Sequence, residues 1–172
     1  MKNNNQAPLA QKAMEHFRER CFMIAKPRIV AELQEQVTKD RNGEYCDWDL
    51  LKNAINSFVE LGLQTADIIK MGDGYIWRGD RNLDLYNQHI EAALIKGAQT
   101  EYAQKSLTWI SSLNCPEYLQ IADRNLQEEE KRADYFLQPE TKSRLLSVCE
   151  IELVEKHAEV LVGKDTGCDS MF

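Results

Sequence analysis

The segment that decides the fold is residues 11–41, QKAMEHFRERCFMIAKPRIVAELQEQVTKDR. Its apolar residues recur at the three- and four-residue spacings of an amphipathic helix. They form two stripes, which are Met14, Phe17, Cys21 and Ile24 in the first half and Phe22, Ala25, Ile29, Leu33 and Val37 further on. At about 100° per residue, the centres of the two stripes lie about a third of a turn apart. Two stripes on one helix indicate that its two halves face different neighbours.

Pro27 lies where the two stripes overlap. A proline inside a helix removes one backbone hydrogen bond, so we expect a kink at this position. A helix of about 30 residues is roughly 45 Å long, which is more than a small bundle needs. We expect the second half to pack on the helices that follow, and the first half to face either a partner or an upstream bundle. The alternative is a single wide apolar face on one bent helix.

Capping and helix-breaking residues divide the rest of the chain into four more helices. Gly43 is placed to end the first helix as a left-handed cap, and Asp47 is placed to cap the second. Pro116 and Pro139 each fit the first turn of a helix. The five predicted helices span about residues 11–41, 47–62, 83–110, 116–137 and 140–162. The sequence therefore predicts an all-α chain, with one helical domain over 11–162, a flexible start at 1–10 and a short tail at 163–172.

One stretch, residues 64–81, has three glycines and no helical or strand period. We expect a loop there, because no run of residues alternates in the way a strand requires. Loops this long are uncommon in compact domains and are often functional. Trp77 lies in this stretch, and an exposed aromatic side chain is favoured as an anchor for a partner.

Composition and charge exclude several classes of function. The net charge of −7 and the pI of about 5.1 argue against a general nucleic-acid-binding surface and against docking on anionic lipid. No apolar run is long enough to span a bilayer, and Met1-Lys-Asn-Asn-Asn-Gln6 lacks the apolar region of a secretory signal. The five cysteines are odd in number and widely spaced, which favours reduced thiols in an intracellular protein.

The sequence offers no recognisable catalytic or cofactor site. None of His16, His89 and His157 has a glutamate three residues before it, as a di-metal bundle would need. There is no zinc-type cysteine and histidine spacing and no phosphate-binding loop. We therefore expect no metal, no cofactor and no enzymatic activity. We interpret His157 as a packed structural histidine, and the charged run Glu128–Arg132 as a solvated helix face.

A set of short motifs, in order along the chain, resembles the N-terminal helical-repeat region of cullins. The motifs are Lys39-Asp-Arg-Asn-Gly-Glu44, Phe58-Val-Glu-Leu-Gly62, Tyr86 with Ile90-Glu91 and Leu94, Glu101-Tyr102, Pro116-Glu-Tyr118, Leu126-Gln-Glu-Glu-Glu-Lys-Arg132, Tyr135-Phe-Leu137 with Thr141 and Cys149, and Leu153-Val-Glu-Lys-His157. They cover about residues 13–162, and the segment 58–62 is most similar to the cullin-1 branch. The resemblance implies a five-helix cullin repeat whose long first helix is shared with the preceding repeat.

The resemblance also implies a function. Cullins are non-catalytic scaffolds of SCF-type and related ubiquitin ligases, and they hold a substrate adaptor at one end and a RING subunit at the other. This sequence resembles the last helix of one repeat followed by the next repeat, and it has no counterpart of the RING-binding C-terminal domain. Only the end of the adaptor-docking face, near residues 9–17, has a counterpart. Ile90 stands where the family usually has phenylalanine.

We therefore expect an intracellular, non-enzymatic scaffold or interaction module whose partner is a ubiquitin-ligase component, either an adaptor or another cullin-type chain. The residues expected to form its contact surface are Met14, Phe17, Cys21, Ile24 and Trp77. One alternative is an orphan or decayed helical fragment that binds no ligase component. Others are a competitor or decoy of a full-length cullin, and a small enzyme or ligand-binding bundle.

Overall fold

The computed structural model of the protein describes residues 9–62, 68–71, 74–77 and 83–169. The chain divides into two compact units, Met1–Ile90 and Glu91–Phe172. The sequence predicts one helical domain over residues 11–162, and this boundary stays a prediction. The predicted flexible start, residues 1–10, lies outside the described residues except for Leu9 and Ala10, which already belong to a helix.

The first unit begins with the long helical segment that the sequence predicts. It consists of α1 (Leu9–Phe17), a π-helical turn (Arg18–Phe22) and α2 (Met23–Arg41). The Met23 N–H donates to the Arg18 carbonyl, five residues back, which is the hydrogen bond of a π turn. The irregularity therefore lies before Pro27, not at it. The Pro27 ring would crowd the carbonyl of Met23, four residues earlier, and the helix departs from α geometry just before that residue.

Caps fix the connection between α2 and α3 (Trp48–Gly62). Gly43 has a φ of 80°, as expected of a left-handed cap. The Leu50 N–H donates to Asp47 Oδ1 over 3.0 Å, which confirms the predicted N-cap. Trp48 Nε1 donates to Asp40 Oδ1 over 2.8 Å, so the start of α3 is tied to the last turns of α2.

The second stripe is only partly buried, because Ala25 is exposed and Ile29 is half-buried. Phe22, Leu33 and Val37 are buried, and the Phe22 ring meets the Phe58 ring edge-on at a centroid distance of 4.8 Å. Such a pair adds about 0.5–1.5 kcal/mol beyond the burial of its area. The buried apolar residues of α3 and of the short helix α4 (Asp84–Tyr86) complete this set, and they are Leu51, Ile55, Phe58, Leu61 and Tyr86.

Residues 64–81 are not wholly a loop, and this prediction was wrong. Strands β1 (Ile68–Met71) and β2 (Gly74–Trp77) pair in an antiparallel hairpin, with Ile68 opposite Trp77 and Met71 opposite Gly74. Four-residue strands are too short to show a clear alternation, although β-branched and aromatic residues favour this conformation. The all-α class is still confirmed, because the other regular elements of the described chain are helical.

The second unit follows a π-helical turn (Asn87–Glu91), which ends at its first residue. Its helices are α5 (Ala92–Ser112), α6 (Cys115–Phe136), α7 (Pro139–Leu153) and α8 (Ala158–Asp169). Both α5 and α6 pack on α7, and α6 also contacts α8. A capping box starts α6: the Glu117 N–H donates to Asn114 Oδ1 over 2.9 Å, and the Asn114 N–H donates back to Glu117 Oε2.

The predicted fifth helix is broken at Val154, whose φ of −121° and ψ of −59° are not helical. The Tyr118 hydroxyl donates to the Leu153 carbonyl over 2.5 Å. The carbonyl at the end of α7 therefore accepts a hydrogen bond from a side chain. Helix α8 continues to Asp169, so it includes most of the predicted tail at 163–172. Lys164 holds this segment by donating to the carbonyls of Ile110 and Leu113.

The charged run in α6 is not a fully solvated face, which corrects the prediction for Glu128–Arg132. Glu129 is 1% exposed and Arg132 is 6% exposed. Glu129 Oε1 accepts from Tyr102 Oη over 2.8 Å and from Arg132 Nη1 over 2.9 Å. Spacing alone could not identify the buried glutamate among three adjacent ones. The helix turns every residue by 100°, so only the packing of α6 decides which one faces inward.

We predict that Glu129→Ala destabilises the protein by about 3 kcal/mol, because it leaves the buried Arg132 guanidinium and the Tyr102 hydroxyl without their shared acceptor. Urea unfolding followed by circular dichroism measures the change. Glu128→Ala is the matched control, since Glu128 pairs with Lys131 at the surface, and it should cost less than about 1 kcal/mol. Equal losses for the two variants would contradict the structural role of the Glu129 carboxylate.

Candidate protein-contact surface

Three residues of the first stripe are exposed, in α1, the π turn and the start of α2. The Phe17 side chain is 50% exposed, Cys21 is exposed, and Ile24 is 77% exposed. These residues follow one another at spacings of four and three, which places them as neighbours on a helix surface. We call Phe17, Cys21 and Ile24 the first-stripe surface.

Two of the five predicted contact residues are described by backbone alone. Met14 lies in α1, and Trp77 is the last residue of β2, where it pairs with Ile68. Their side chains lie outside the described residues. The structure therefore places three of the predicted residues on one exposed helical segment and leaves the contribution of the Met14 and Trp77 side chains as a prediction.

Next to the first-stripe surface lies a small polar cleft of about 380 Å³. Arg18, Glu19 and Met23 line it from the helix, and Gly62 and Asp84 are among its other walls. Arg18 Nη1 donates to the Leu61 carbonyl over 3.5 Å, at the end of α3. The exposed apolar stripe thus has a polar border, which is the usual anatomy of a protein-binding patch.

A second feature, which we call the α2–α3 groove, was missed by the sequence analysis. It has a volume of about 580 Å³ and lies between α2, the connection after it and α3. Its apolar lining includes Ala25, Ile29, Leu33, Tyr45, Leu50 and Ala54, and its polar lining includes Arg28, Glu32 and Asp47. Leu50 is 66% exposed and Tyr45 is 88% exposed. The adjacent pair Leu50-Leu51 was the available signal, because two consecutive leucines cannot both face inward on one helix.

Lys26, in α2 after Ile24 and Ala25, makes a contact with the segment after α4. Its Nζ lies 2.8 Å from His89 Nε2, at the π turn that follows α4. Burial, and then the positive charge of Lys26, lower the pKa of His89 below its ordinary value. The neutral imidazole can accept a hydrogen bond from the ammonium group, whereas the imidazolium would repel it.

In the second unit, buried polar side chains are engaged in structural hydrogen bonds. Glu91 accepts from Thr141 Oγ1 over 2.6 Å and from Arg144 Nη1 over 2.5 Å. His157 Nε2 lies 2.9 Å from Ser106 Oγ, which confirms a packed structural histidine. Burial raises the pKa of the Tyr118 hydroxyl to about 12.

The carboxylate of Glu152 is equally well held. Burial tends to raise its pKa, but hydrogen bonds from Lys156 and Gln99 outweigh burial, so the pKa of Glu152 lies below its usual value. Among the described residues, no three histidine, cysteine or acidic side chains are grouped as metal ligands would be. None of the described helices is long and apolar enough to cross a membrane.

Comparison with known proteins gives one consistent result. The family model described as "Cullin alpha solenoid domain" matches residues 1–172. The chain is 26% identical to Cullin-3 of Dictyostelium discoideum over all of its length and 20% of that protein. It is 28% identical to Cullin-1 of the same organism over 84% of the chain and 18% of that protein.

A third relative is shorter. The chain is 25% identical to Cullin-like protein 3 of Arabidopsis thaliana over 81% of the chain and 51% of that protein. The chain thus spans about half of this relative and a fifth or less of the two Dictyostelium cullins. The Cullin-1 and Cullin-3 relatives match at similar identity, so the assignment to the cullin-1 branch stays a prediction.

We predict that acid weakens the first unit through His89. Because its pKa is lowered in the folded state, the unfolded chain binds the proton more readily, so stability falls as the pH drops below the ordinary value of 6.5. Replacing His89 with glutamine, which can still accept from Lys26, should make unfolding less dependent on pH. Urea unfolding at about pH 7.5 and about pH 5.5 measures the difference.

The control for this experiment is His16→Gln, since His16 is exposed on α1. It should leave the pH dependence as it is in the wild type. If the His89 variant and the His16 variant lose the same stability on acidification, the contact between Lys26 and His89 does not govern the response.

Proposed function

The chain belongs to the cullin family, and on that premise we propose that it is a non-catalytic interaction module of the ubiquitin-ligase machinery. It binds a ligase component, an adaptor or another cullin-type chain, through the first-stripe surface. The observation that carries this proposal is the exposure of Phe17 and Ile24 on a helix whose neighbouring stripe contributes Phe22, Leu33 and Val37 to the core. The setting is intracellular, in keeping with the free cysteines among the described residues.

The first-stripe surface is held rigid by the core beside it. Phe22 is 5% exposed and packs on Phe58, one residue after the exposed Cys21. The Arg18 side chain bonds to the end of α3 just ahead of it. A partner therefore meets side chains whose backbone is already ordered, and little conformational entropy is lost on binding.

The chemistry of the stripe suits a protein partner. A half-exposed aromatic ring, a thiol and a branched aliphatic side chain offer an apolar centre. The charged residues Arg18 and Glu19 flank it. Binding energy at such surfaces concentrates in a few apolar or aromatic anchors at the centre, and Phe17 is the best candidate for one.

A non-enzymatic role fits how the buried polar groups are used. Glu91, Glu129 and Glu152 each accept hydrogen bonds from neighbouring side chains that hold helices together. A catalytic carboxylate instead needs access to a substrate. We therefore assign these carboxylates to stability, in line with the non-catalytic role of the family.

Two alternatives are distinguished by binding. A competitor or decoy of a full-length cullin would occupy the same ligase component without supporting assembly. An orphan or decayed fragment would fold and bind no ligase component.

The test is affinity capture from cells with the purified chain as bait, read by mass spectrometry. We expect recovery of an adaptor, a RING subunit or a cullin, and we expect Phe17→Asp to reduce it at least about tenfold, because a charge replaces a central apolar anchor. Leu119→Asp is the matched control, since Leu119 is 44% exposed on α6 in the second unit.

Circular dichroism of each bait confirms that it is folded before capture. Recovery that is unchanged in Phe17→Asp would remove the first-stripe surface as the contact. A folded wild-type chain that recovers no ligase component would favour the orphan alternative.

A further inference from the structure

The α2–α3 groove is built to accept an apolar helix face. Ala25, Ile29 and Leu33 form one wall at spacings of four residues, and Leu50 and Ala54 form the facing wall at the same spacing. Two parallel rows of this kind make the slot into which an amphipathic helix lays its i, i+3 and i+4 side chains. Tyr45 also lines the groove and is 88% exposed, so a helix bound there would remove most apolar surface from water at this residue.

Charge identifies the kind of helix that fits. The charged lining of the groove is Arg28, Glu32 and Asp47, so it is net negative. The surrounding residues 32–49 contain six Asp or Glu and two Lys or Arg. Residues 12–28, which carry the first-stripe surface, contain five Lys or Arg and two Glu. The exposed basic residues of the range 12–28 include Lys12, Arg20 and Arg28. The exposed acidic residues of the range 32–49 include Glu32, Glu44 and Asp47. An acidic protein thus carries a basic apolar helix directly beside an acidic apolar groove.

We propose that the α2–α3 groove binds the first-stripe surface of a second copy of this chain. The basic helix that carries Phe17, Cys21 and Ile24 enters the groove of its partner, and the partner's helix enters the groove of the first copy. This contact is self-complementary, and two identical contacts related by a two-fold axis close the assembly as a dimer. The dimer covers the exposed apolar surfaces of both features at once.

The spacing along the helix gives the pairing a definite register. The first-stripe surface is centred near Cys21, and the α2 wall of the groove is centred near Val30, which is about 14 Å further along the helix. An antiparallel arrangement that places each centre against the other brings the turn Arg18–Arg20 of one copy, with two arginines and Glu19, opposite the turn that carries Glu32 of the other. Arg20 and Glu32 are both exposed, so they can form the ion pair that fixes the register.

This inference does not require the proposed function, although the two share the first-stripe surface. A ligase partner bound there would compete with the second copy, whereas the groove residues serve the dimer alone. Leu50→Asp therefore separates the two: it should abolish the dimer and leave capture of the ligase partner intact.

Analytical ultracentrifugation of the purified chain over a concentration series tests the proposal. We expect a reversible monomer–dimer equilibrium at up to about 0.5 mM chain, weakened at least about tenfold by Leu50→Asp. Leu107→Asp is the matched control, because Leu107 is 63% exposed on α5 in the second unit. A wild-type chain that stays monomeric throughout, or a dimer that Leu50→Asp leaves unchanged, overturns the proposal.

The register is tested by exchanging charges. Arg20→Glu and Glu32→Arg should each weaken the dimer several-fold, because each places like charges opposite one another, and the double variant should recover the wild-type association. If the effects of the two substitutions add and the double variant is the weakest, the antiparallel register is wrong.

Discussion

The rest of the first unit depends on one constraint: the long helix cannot bury both of its apolar stripes. The Phe22 ring is fixed against Phe58 in the interior, and Leu33 and Val37 lie buried further along α2. Once that face is fixed, the neighbouring face must point away, and Cys21 and Ile24 remain exposed. The apolar surface that is available to a partner is therefore a direct consequence of which residues form the core.

The second unit combines a hydrophobic core with buried polar contacts. The Tyr118 hydroxyl reaches the Leu153 carbonyl, and the Tyr102 hydroxyl reaches Glu129. The first bond joins α6 to α7 and the second joins α5 to α6, and each satisfies a group that would be costly to bury alone. Both tyrosines belong to the motifs that resemble a cullin repeat. The resemblance therefore has a structural basis, because these motif residues hold one helix against another.

Much of the fold follows from local signals, since Gly43, Asp47, Asn114 and Pro139 mark helix ends by capping chemistry that acts within a few residues.

The features that could not be predicted from the sequence depend on contacts between distant residues. The break at Val154 needs Tyr118, and the burial of Glu129 needs Tyr102. The hairpin was missed because its strands have only four residues each. The exposed stripe of the candidate surface could be predicted, because it lies on a different face of the helix from the core stripe. The α2–α3 groove could not be predicted, because it exists only where two helices pack together.

The central claim is that the first-stripe surface is open in the folded chain, and the reactivity of Cys21 tests it most directly. The folded, dilute protein is treated with a maleimide, and labelling of each cysteine is followed in time by mass spectrometry. The account predicts fast labelling of Cys21, whereas the buried Cys149 should react only when the protein unfolds. A Cys21 thiol that reacts as slowly as Cys149 in the folded monomer would contradict the account.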